Sequence, residues 1–136
     1  MHTYSFPDVV SHLDWSYDSN MILVAIQKRA LVYVKALHDG DWSCKVDEGM
    51  AGLTFARWGP LANHIMTVSE FKVRLSIWCL LDKSVQYIKN PKHEDRGLSF
   101  SPNKKLMALA ERTTDGKDTV GIYDVTGNRF ECLHHF

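Results

Sequence analysis

The chain has 136 residues with 16 basic and 16 acidic side chains, so its formal net charge is zero. This balance argues against a protein that binds nucleic acid or an anionic membrane through its overall charge. Hydrophobic residues make up 45 % of the chain and charged residues 24 %, which excludes wholesale disorder and suits a compact, core-forming chain.

The sequence lacks the marks of a secreted or membrane-embedded protein. Its longest apolar run, 21–26, has six residues, far short of the ~20 needed to cross a bilayer. Residues 1–7 carry neither the basic nor the apolar region of a signal peptide. The three cysteines, Cys44, Cys79 and Cys132, are widely spaced and odd in number, which predicts reduced thiols. We therefore expect a cytoplasmic protein.

Three stretches of the chain repeat one pattern, each beginning at an aromatic anchor position occupied by Trp15, Trp58 or Phe100. The anchors lie 43 and 42 residues apart. After each anchor come a short polar turn, two apolar runs and a half-polar run. In chain order the strand-like runs are 13–16, 21–26, 31–34 and 43–46, then 56–60, 65–68, 73–78 and 85–88, and finally 98–102, 106–110, 120–123 and 129–133. Four short runs per repeat of about 42 residues are typical of β-propeller blades.

These runs are predicted to be strands rather than helices, because they are short and are often bounded by Gly, Asn, Asp or Pro. The third run of each unit alternates, so that Leu31 and Tyr33, or Val120 and Ile122, share one face. The second run is apolar on both faces, which suits a central strand packed between two neighbouring sheets. The predicted fold is therefore all-β, with four-stranded antiparallel blades in tandem.

The repeat divides the chain into blades at 12–52, 53–96 and 97–136. Residues 1–11, with an outer strand at 3–6, are predicted to end a preceding blade. About three blades are then present, whereas propellers close with four to eight. Each bare blade face would lose on the order of 10 kcal/mol of apolar burial, which rivals the stability of a whole domain. We expect an incomplete, fragmentary propeller that needs further blades of its own chain.

Four stretches, 42–53, 69–78, 83–92 and 106–112, carry a family resemblance. Through them the chain resembles the WD-repeat superfamily, and within it the centrosomal and spindle-pole members. The Trp-Asp dipeptide of the superfamily is absent, and Trp78-Cys79 and Tyr123-Asp124 occupy its usual place. The resemblance implies a WD40-like β-propeller over nearly the whole chain.

The same resemblance implies a non-catalytic scaffold or adaptor for protein–protein interaction. Its expected partner is a coiled-coil centrosomal or spindle-pole protein, and its expected roles are microtubule anchoring, spindle assembly and ciliogenesis. The alternative is a generic WD40 adaptor subunit in ubiquitin ligation or RNA processing, with a propeller enzyme as a third and less favoured interpretation. Enzymatic propellers gather carboxylates, histidines or a metal around the central channel, whereas the predicted innermost strands do not converge on one chemistry.

The candidate partner-binding residues are mainly basic. Lys28, Lys72 and Lys117 each precede the third-strand anchor position by six residues, and Arg29 follows the first of them. We expect the three lysines on one rim, either as a basic arc for an acidic partner or as solvated turn residues. Family members usually have Asp at this position, so the lysines argue against the usual buried Asp-His-Ser-Trp network. Trp42, beside a turn, is a further candidate contact.

The remaining aromatic residues at repeat positions are predicted to be structural anchors of the core, namely Trp15, Trp58, Trp78, Phe100 and Tyr123. The sequence contains no zinc motif, no phosphate-binding loop and no hydrolase nucleophile motif. We therefore predict no catalytic residue, no cofactor and no metal site.

Overall fold

The computed structural model describes residues 3–38, 42–60, 63–70, 74–89, 91–93 and 96–136. Over these residues the chain forms twelve strands and no α-helix. The strands are β1 His12–Trp15, β2 Met21–Ile26, β3 Leu31–Ala36, β4 Ser43–Asp47, β5 Phe55–Trp58, β6 His64–Val68, β7 Arg74–Cys79, β8 Val85–Lys89, β9 Leu98–Phe100, β10 Leu106–Arg112, β11 Asp118–Asp124 and β12 Glu131–His135. Two short 3₁₀ turns, Gln27–Arg29 and Gly49–Ala51, follow β2 and β4.

Three four-stranded sheets follow one another along the chain, with strand orders β1-β2-β3-β4, β5-β6-β7-β8 and β9-β10-β11-β12. We call them the first, second and third sheets. All strand pairs are antiparallel, and within each sheet a strand pairs with the next one in sequence. The predicted all-β fold of tandem four-stranded antiparallel blades is confirmed.

Two apolar clusters fill the spaces between consecutive sheets. The first joins Leu23 and Val34 of the first sheet to Ile65 of the second, and the other joins Met66 of the second sheet to Met107 of the third. Neighbouring residues of β6 thus face opposite clusters, and all five positions of β6 are buried. This two-sided burial is the physical reason for the continuous apolar runs in the sequence.

The structural anchors differ in burial. Trp58 and Tyr123 are 4 % and 5 % exposed and belong to the two clusters, while Trp78 and Phe100 are partly buried against them. Trp15, predicted as a core anchor, is instead 54 % exposed. It pairs with Ile22 on the side of the first sheet that faces away from the second, where no described sheet packs against it.

The segment before β1 corrects another prediction. Residues 3–10 form no strand, although an outer strand is predicted at 3–6. No strand of a preceding sheet is described beside this segment, so its backbone has no ladder to join. It lies on the first sheet, where the Phe6 and Tyr33 rings are 5.5 Å apart and the Lys35 ammonium is 5.9 Å from the Tyr4 ring. Its place in a preceding blade stays a prediction.

Candidate protein-interaction surfaces

The predicted basic residues lie in loops at one end of the sheets, which we call the lysine rim and define by Lys28, Arg29 and Lys117. Lys28 and Arg29 are exposed in the 3₁₀ turn between β2 and β3. Lys117 is exposed directly before β11. Lys72, the fourth predicted basic residue, lies outside the described residues. Within the described part of the chain, neither Lys28 nor Lys117 forms an ion pair.

Arg29 differs from its lysine neighbour because it is already paired. Its Nε lies 3.0 Å from Oδ2 of Asp8, in the segment before β1. A hydrogen bond from the Val9 backbone N–H and the Arg29 guanidinium lower the pKa of Asp8. The pair is solvent-accessible and contributes little stability, but it neutralises one of the charges expected in the basic arc.

Two further ion pairs join consecutive sheets at the same end of the molecule. Arg74, at the start of β7, lies 3.4 Å from the Glu48 carboxylate, which follows β4. Asp118, at the start of β11, pairs with Lys92, which follows β8. The lysine and, next in importance, Arg112 at 3.0 Å lower the pKa of Asp118. The lysine rim therefore has mixed charge rather than a continuous basic arc.

Glu48 is the member of these pairs that reaches the interior. Its side chain is fully buried, and it accepts a hydrogen bond from Thr67 Oγ1 at 3.0 Å while it pairs with Arg74. The Trp78 indole Nε1 donates to the same Thr67 hydroxyl at 3.0 Å. The Arg74 guanidinium also lies 4.2 Å from the Tyr87 ring centroid. A buried carboxylate with these partners ties the exit of the first sheet to the second.

Trp42 does not lie on the lysine rim. It directly precedes β4, whose Ser43 pairs with Lys35, whereas Lys28 follows β2 at the opposite end of the same sheet. Its partly buried ring packs against the cluster between the first and second sheets and lines a groove of about 570 Å³ with Trp78 and Lys83. Grouping Trp42 with the lysines is therefore wrong, because β3 carries the chain back across the sheet before Trp42 is reached.

The end of the sheets opposite the lysine rim is formed by the turns 17–20, 80–84, 101–105 and 125–130, and we call it the turn rim. Here acidic and amide side chains hold the turns themselves. Asp18 accepts from Ser16 Oγ at 2.6 Å, and Asp82 and Asp124 each accept from a hydroxyl two residues later at 2.6 Å. Hydrogen bonds from the Ser84 hydroxyl and backbone lower the pKa of Asp82 to about 2. These carboxylates serve the local turns.

A cavity of about 380 Å³ opens on the turn rim, where the inner strands β1, β5 and β9 come together. Side-chain contacts join these strands. Trp58 Nε1 donates to the Asp14 carbonyl oxygen at 3.1 Å, and the Arg57 guanidinium lies 5.2 Å from the Phe100 ring centroid. In both contacts, the residue directly before one anchor, Asp14 or Arg57, touches the anchor of the next sheet, Trp58 or Phe100.

The mouth of this cavity carries an aromatic–cation pair. Tyr17 is 58 % exposed, and Lys104 Nζ of the third sheet lies 4.2 Å from its ring centroid. Both residues line the cavity, as do Trp15 and Arg57. Aromatic and arginine side chains supply much of the binding energy of protein interfaces. Sequence reasoning missed this surface because Tyr17 and Lys104 are 87 residues apart in numbering and lie in ordinary polar turns.

No protein-family model matches the chain. Over all 136 residues it is 41 % identical to the mouse (Mus musculus) WD repeat-containing protein WRAP73. This similarity supports the WD-repeat family. The chain spans 29 % of the length of that relative, and its three four-stranded sheets are consistent with WD40 blades of an incomplete propeller.

The second sheet contains a polar network beside Trp78. Trp78 and the Thr67 hydroxyl are joined, but the buried carboxylate is Glu48 and its cationic partner is Arg74. The sequence predicts that the usual Asp-His-Ser-Trp set is not formed, because lysines stand at the usual Asp position. In the second sheet this lysine is Lys72, which lies outside the described residues, so the prediction stays untested there. One signal in the sequence could have found the Glu48 contact, since the oppositely charged pairs 48/74 and 92/118 both have a spacing of 26 residues.

Among the described residues, no group of three or more His, Cys, Asp or Glu side chains is arranged to hold a metal ion. In the same part of the chain, no helix has the length and apolar character needed to cross a membrane.

Proposed function

We propose that the chain is part of a non-catalytic adaptor that binds a coiled-coil protein at centrosomes or spindle poles. The finer resemblance is to WD repeat-containing protein eight, and it suggests roles in microtubule anchoring, spindle assembly and cilium formation. The 41 % identity to a WD repeat-containing protein supports the adaptor class. Cytoplasmic and centrosomal localisation is part of this proposal.

The observation that carries the proposal is the exposed surface around Tyr17 and Lys104. Three sheets hold the turn rim rigidly through Trp58–Asp14 and Arg57–Phe100 contacts. A rigid aromatic side chain loses little conformational entropy on binding. The turns of this rim carry four basic side chains, Lys83, Lys104, Lys105 and Arg129, against the two carboxylates Asp18 and Asp82, so basic charges outnumber acidic ones there.

This surface suits one kind of partner segment. A coiled-coil helix presents apolar residues in a stripe with charged residues, often Glu, on either side. Its carboxylates would meet Lys104 and Arg57, and its apolar side chains would cover Tyr17. Salt should weaken the complex, because exposed charges are screened over a Debye length of about 8 Å at physiological ionic strength.

The lysine rim is the second candidate surface. Lys28 and Lys117 have no ion-pair partner among the described residues, and with Lys72 they make up the basic arc that the sequence predicts. Arg29 is a weaker candidate because it is paired with Asp8. The two rims lie at opposite ends of the sheets, so variants of one leave the other unchanged.

The experiment measures binding of a purified coiled-coil centrosomal protein by calorimetry. Tyr17→Ala combined with Lys104→Glu should weaken binding about 30-fold or more, as expected for a hot spot of about 2 kcal/mol. Lys105→Glu is the matched control, because it makes the same charge change one residue away. The triple variant Lys28→Glu, Lys72→Glu, Lys117→Glu tests the lysine rim in the same assay.

Each outcome has a distinct meaning. Loss of binding only in the Tyr17–Lys104 variant supports the turn rim, and loss only in the triple variant moves the contact to the lysine rim. Equal loss with Lys105→Glu shows that bulk charge rather than the cavity mouth governs binding. If neither set weakens the complex, and a fluorescent fusion of the chain does not collect at spindle poles, the proposed function is wrong.

A further inference from the structure

Cys132, His135 and Glu111 form a connected group on the third sheet. Cys132 Sγ lies 3.6 Å from His135 Nδ1, and His135 Nε2 lies 3.1 Å from Glu111 Oε2. The Tyr123 hydroxyl donates to the other Glu111 oxygen, Oε1. Cys132 itself is exposed to solvent. The thiol therefore contacts a base, the imidazole, and the base contacts a carboxylate that orients it.

A bulge in the outer strand brings the thiol and the imidazole together. In a regular strand, residues three apart point to opposite faces. Between β11 and β12 the register shifts, so that Cys132 pairs with Tyr123 while His135 pairs with Gly121. Since Tyr123 and Gly121 are two residues apart in β11, both outer-strand residues lie on one side. Bulges commonly re-aim side chains in this way near functional sites.

The carboxylate determines which imidazole nitrogen faces the thiol as a base. An ionised carboxylate only accepts hydrogen bonds, so His135 Nε2 carries the proton that it shares with Glu111. Nδ1 then presents its lone pair towards Cys132 Sγ. Burial and the adjacent Glu111 carboxylate raise the pKa of Tyr123, which keeps its hydroxyl protonated as a donor to Glu111. The same order of groups activates nucleophiles in unrelated proteins.

The position of the group distinguishes it from the bare outer face of the third sheet. Tyr123 belongs to the cluster between the second and third sheets, so Cys132 and His135 lie on the side that faces the second sheet. Ile122 and its partner His134 point to the opposite side. A further sheet packed on that opposite side would therefore not cover Cys132.

We propose that Cys132 is a nucleophilic thiol and a site of covalent modification by low-molecular-weight disulfides. His135 Nδ1 takes the thiol proton, and the thiolate attacks one sulfur of the disulfide. The reagent S–S bond breaks as the new S–S bond to Cys132 forms, and the departing thiolate takes the proton back from Nδ1. One disulfide is consumed and one mixed disulfide and one free thiol are formed, so no other oxidant is required.

The two other cysteines are internal controls. Cys79 is 3 % exposed in β7, where reagents cannot reach it. Cys44 is only partly accessible, and burial raises the pKa of its thiol, which favours the unreactive protonated form. The proposal therefore predicts a clear order of reaction within one molecule.

The test exposes the folded 136-residue chain to glutathione disulfide and quantifies each cysteine adduct by peptide mass spectrometry. Cys132 should react at least about tenfold faster than Cys44 and Cys79. The measurement is repeated on the chain unfolded in urea, where His135 is no longer held beside the thiol. Cys132 should then slow about tenfold while the other two accelerate. If Cys132 reacts no faster in the folded chain than in urea, exposure alone explains its reactivity and the proposal fails.

A variant pair tests the role of the imidazole. His135→Phe should slow the reaction of Cys132 about tenfold, and Glu111→Gln should slow it several-fold because Nε2 loses its charged partner. His134→Phe is the matched control, since it replaces the adjacent histidine on the opposite side of the strand. Equal rates for His135→Phe and His134→Phe overturn the proposal. The folded-versus-unfolded comparison on the unmodified chain decides the question if a variant fails to fold.

Discussion

Replacing Glu48 by alanine tests whether a buried polar network holds the first and second sheets together. The Thr67 hydroxyl, which is 0 % exposed, would lose its acceptor, at a cost of about 1–3 kcal/mol. Arg74 would lose its carboxylate, but its side chain is 29 % exposed and stays stacked on Tyr87. We therefore take about 1 kcal/mol for this pair rather than the 3–5 kcal/mol of a fully buried one.

The expected total for Glu48→Ala is about 2–4 kcal/mol, and urea unfolding followed by tryptophan fluorescence measures it. With a slope of roughly 1.5 kcal/mol per molar urea, the midpoint should fall by about 1.3–2.7 M. Glu131→Ala is the control, because Glu131 is exposed on β12 and such substitutions usually change stability by less than about 0.5 kcal/mol. Glu48→Gln should be intermediate, since the amide still accepts from Thr67 but presents an N–H donor to Arg74.

A double-mutant cycle separates the ion pair from the rest of the network. Arg74→Met alone should destabilise the chain, and its combination with Glu48→Ala should cost less than the sum by about 1 kcal/mol. Additive losses would show that the 3.4 Å contact carries no coupling. A midpoint for Glu48→Ala within error of Glu131→Ala would refute the reasoning as a whole.

Two further predictions concern single side chains. Trp58→Phe removes the indole donor to the Asp14 carbonyl and should lower the free energy of unfolding in urea by about 1–2 kcal/mol. Trp15→Phe should lower it by less than about 0.5 kcal/mol, because Trp15 is 54 % exposed. Equal losses would contradict the role given to Trp58. Burial lowers the pKa of His64 from its ordinary value of 6.5, and its Nδ1 has no hydrogen-bond partner among the described residues. The unfolded chain therefore binds the extra proton first, so stability is fully present above pH 6.5 and should fall by up to about 1.4 kcal/mol per pH unit below it. His64→Gln should flatten this pH dependence, and an unchanged slope between pH 7 and 5 would contradict the assignment.

The repeat pattern was enough to predict the three sheets, because the second strand of each unit is a mostly apolar run that stands out in the sequence. β6 and β10 begin within one residue of the predicted apolar runs. The anchors Trp58 and Phe100 also mark their positions correctly, since each contacts the residue before the preceding anchor. Trp15 has the same sequence signal, but its burial depends on a neighbouring sheet and not on its own unit.

The contacts between sheets were harder to predict, because they join residues from different repeats. Glu48 stands beside Asp47 in a polar connection and nothing in the sequence marks it as buried, yet its side chain is fully buried with Thr67 and Arg74. Cys132 and His135 would point apart in a regular strand, and only the β-bulge brings them together. A bulge adds one residue without any required residue type, so the sequence carries no strong signal for it.

The ion pairs between sheets help to explain why similar repeats pack in one order. Both clusters between the sheets are apolar, and apolar burial is non-directional, so burial alone discriminates weakly between correct and exchanged neighbours. The two ion pairs between the sheets have their acidic and basic members exchanged. The carboxylate lies on the connecting segment in Glu48–Arg74, whereas the lysine lies there in Lys92–Asp118. Placing the Glu48 segment against the third sheet would bring two carboxylates together, one of them buried, which is strongly unfavourable without a cation. The same reversal of charge that makes the lysine rim mixed, and hence a poor basic arc, therefore favours the observed succession of sheets.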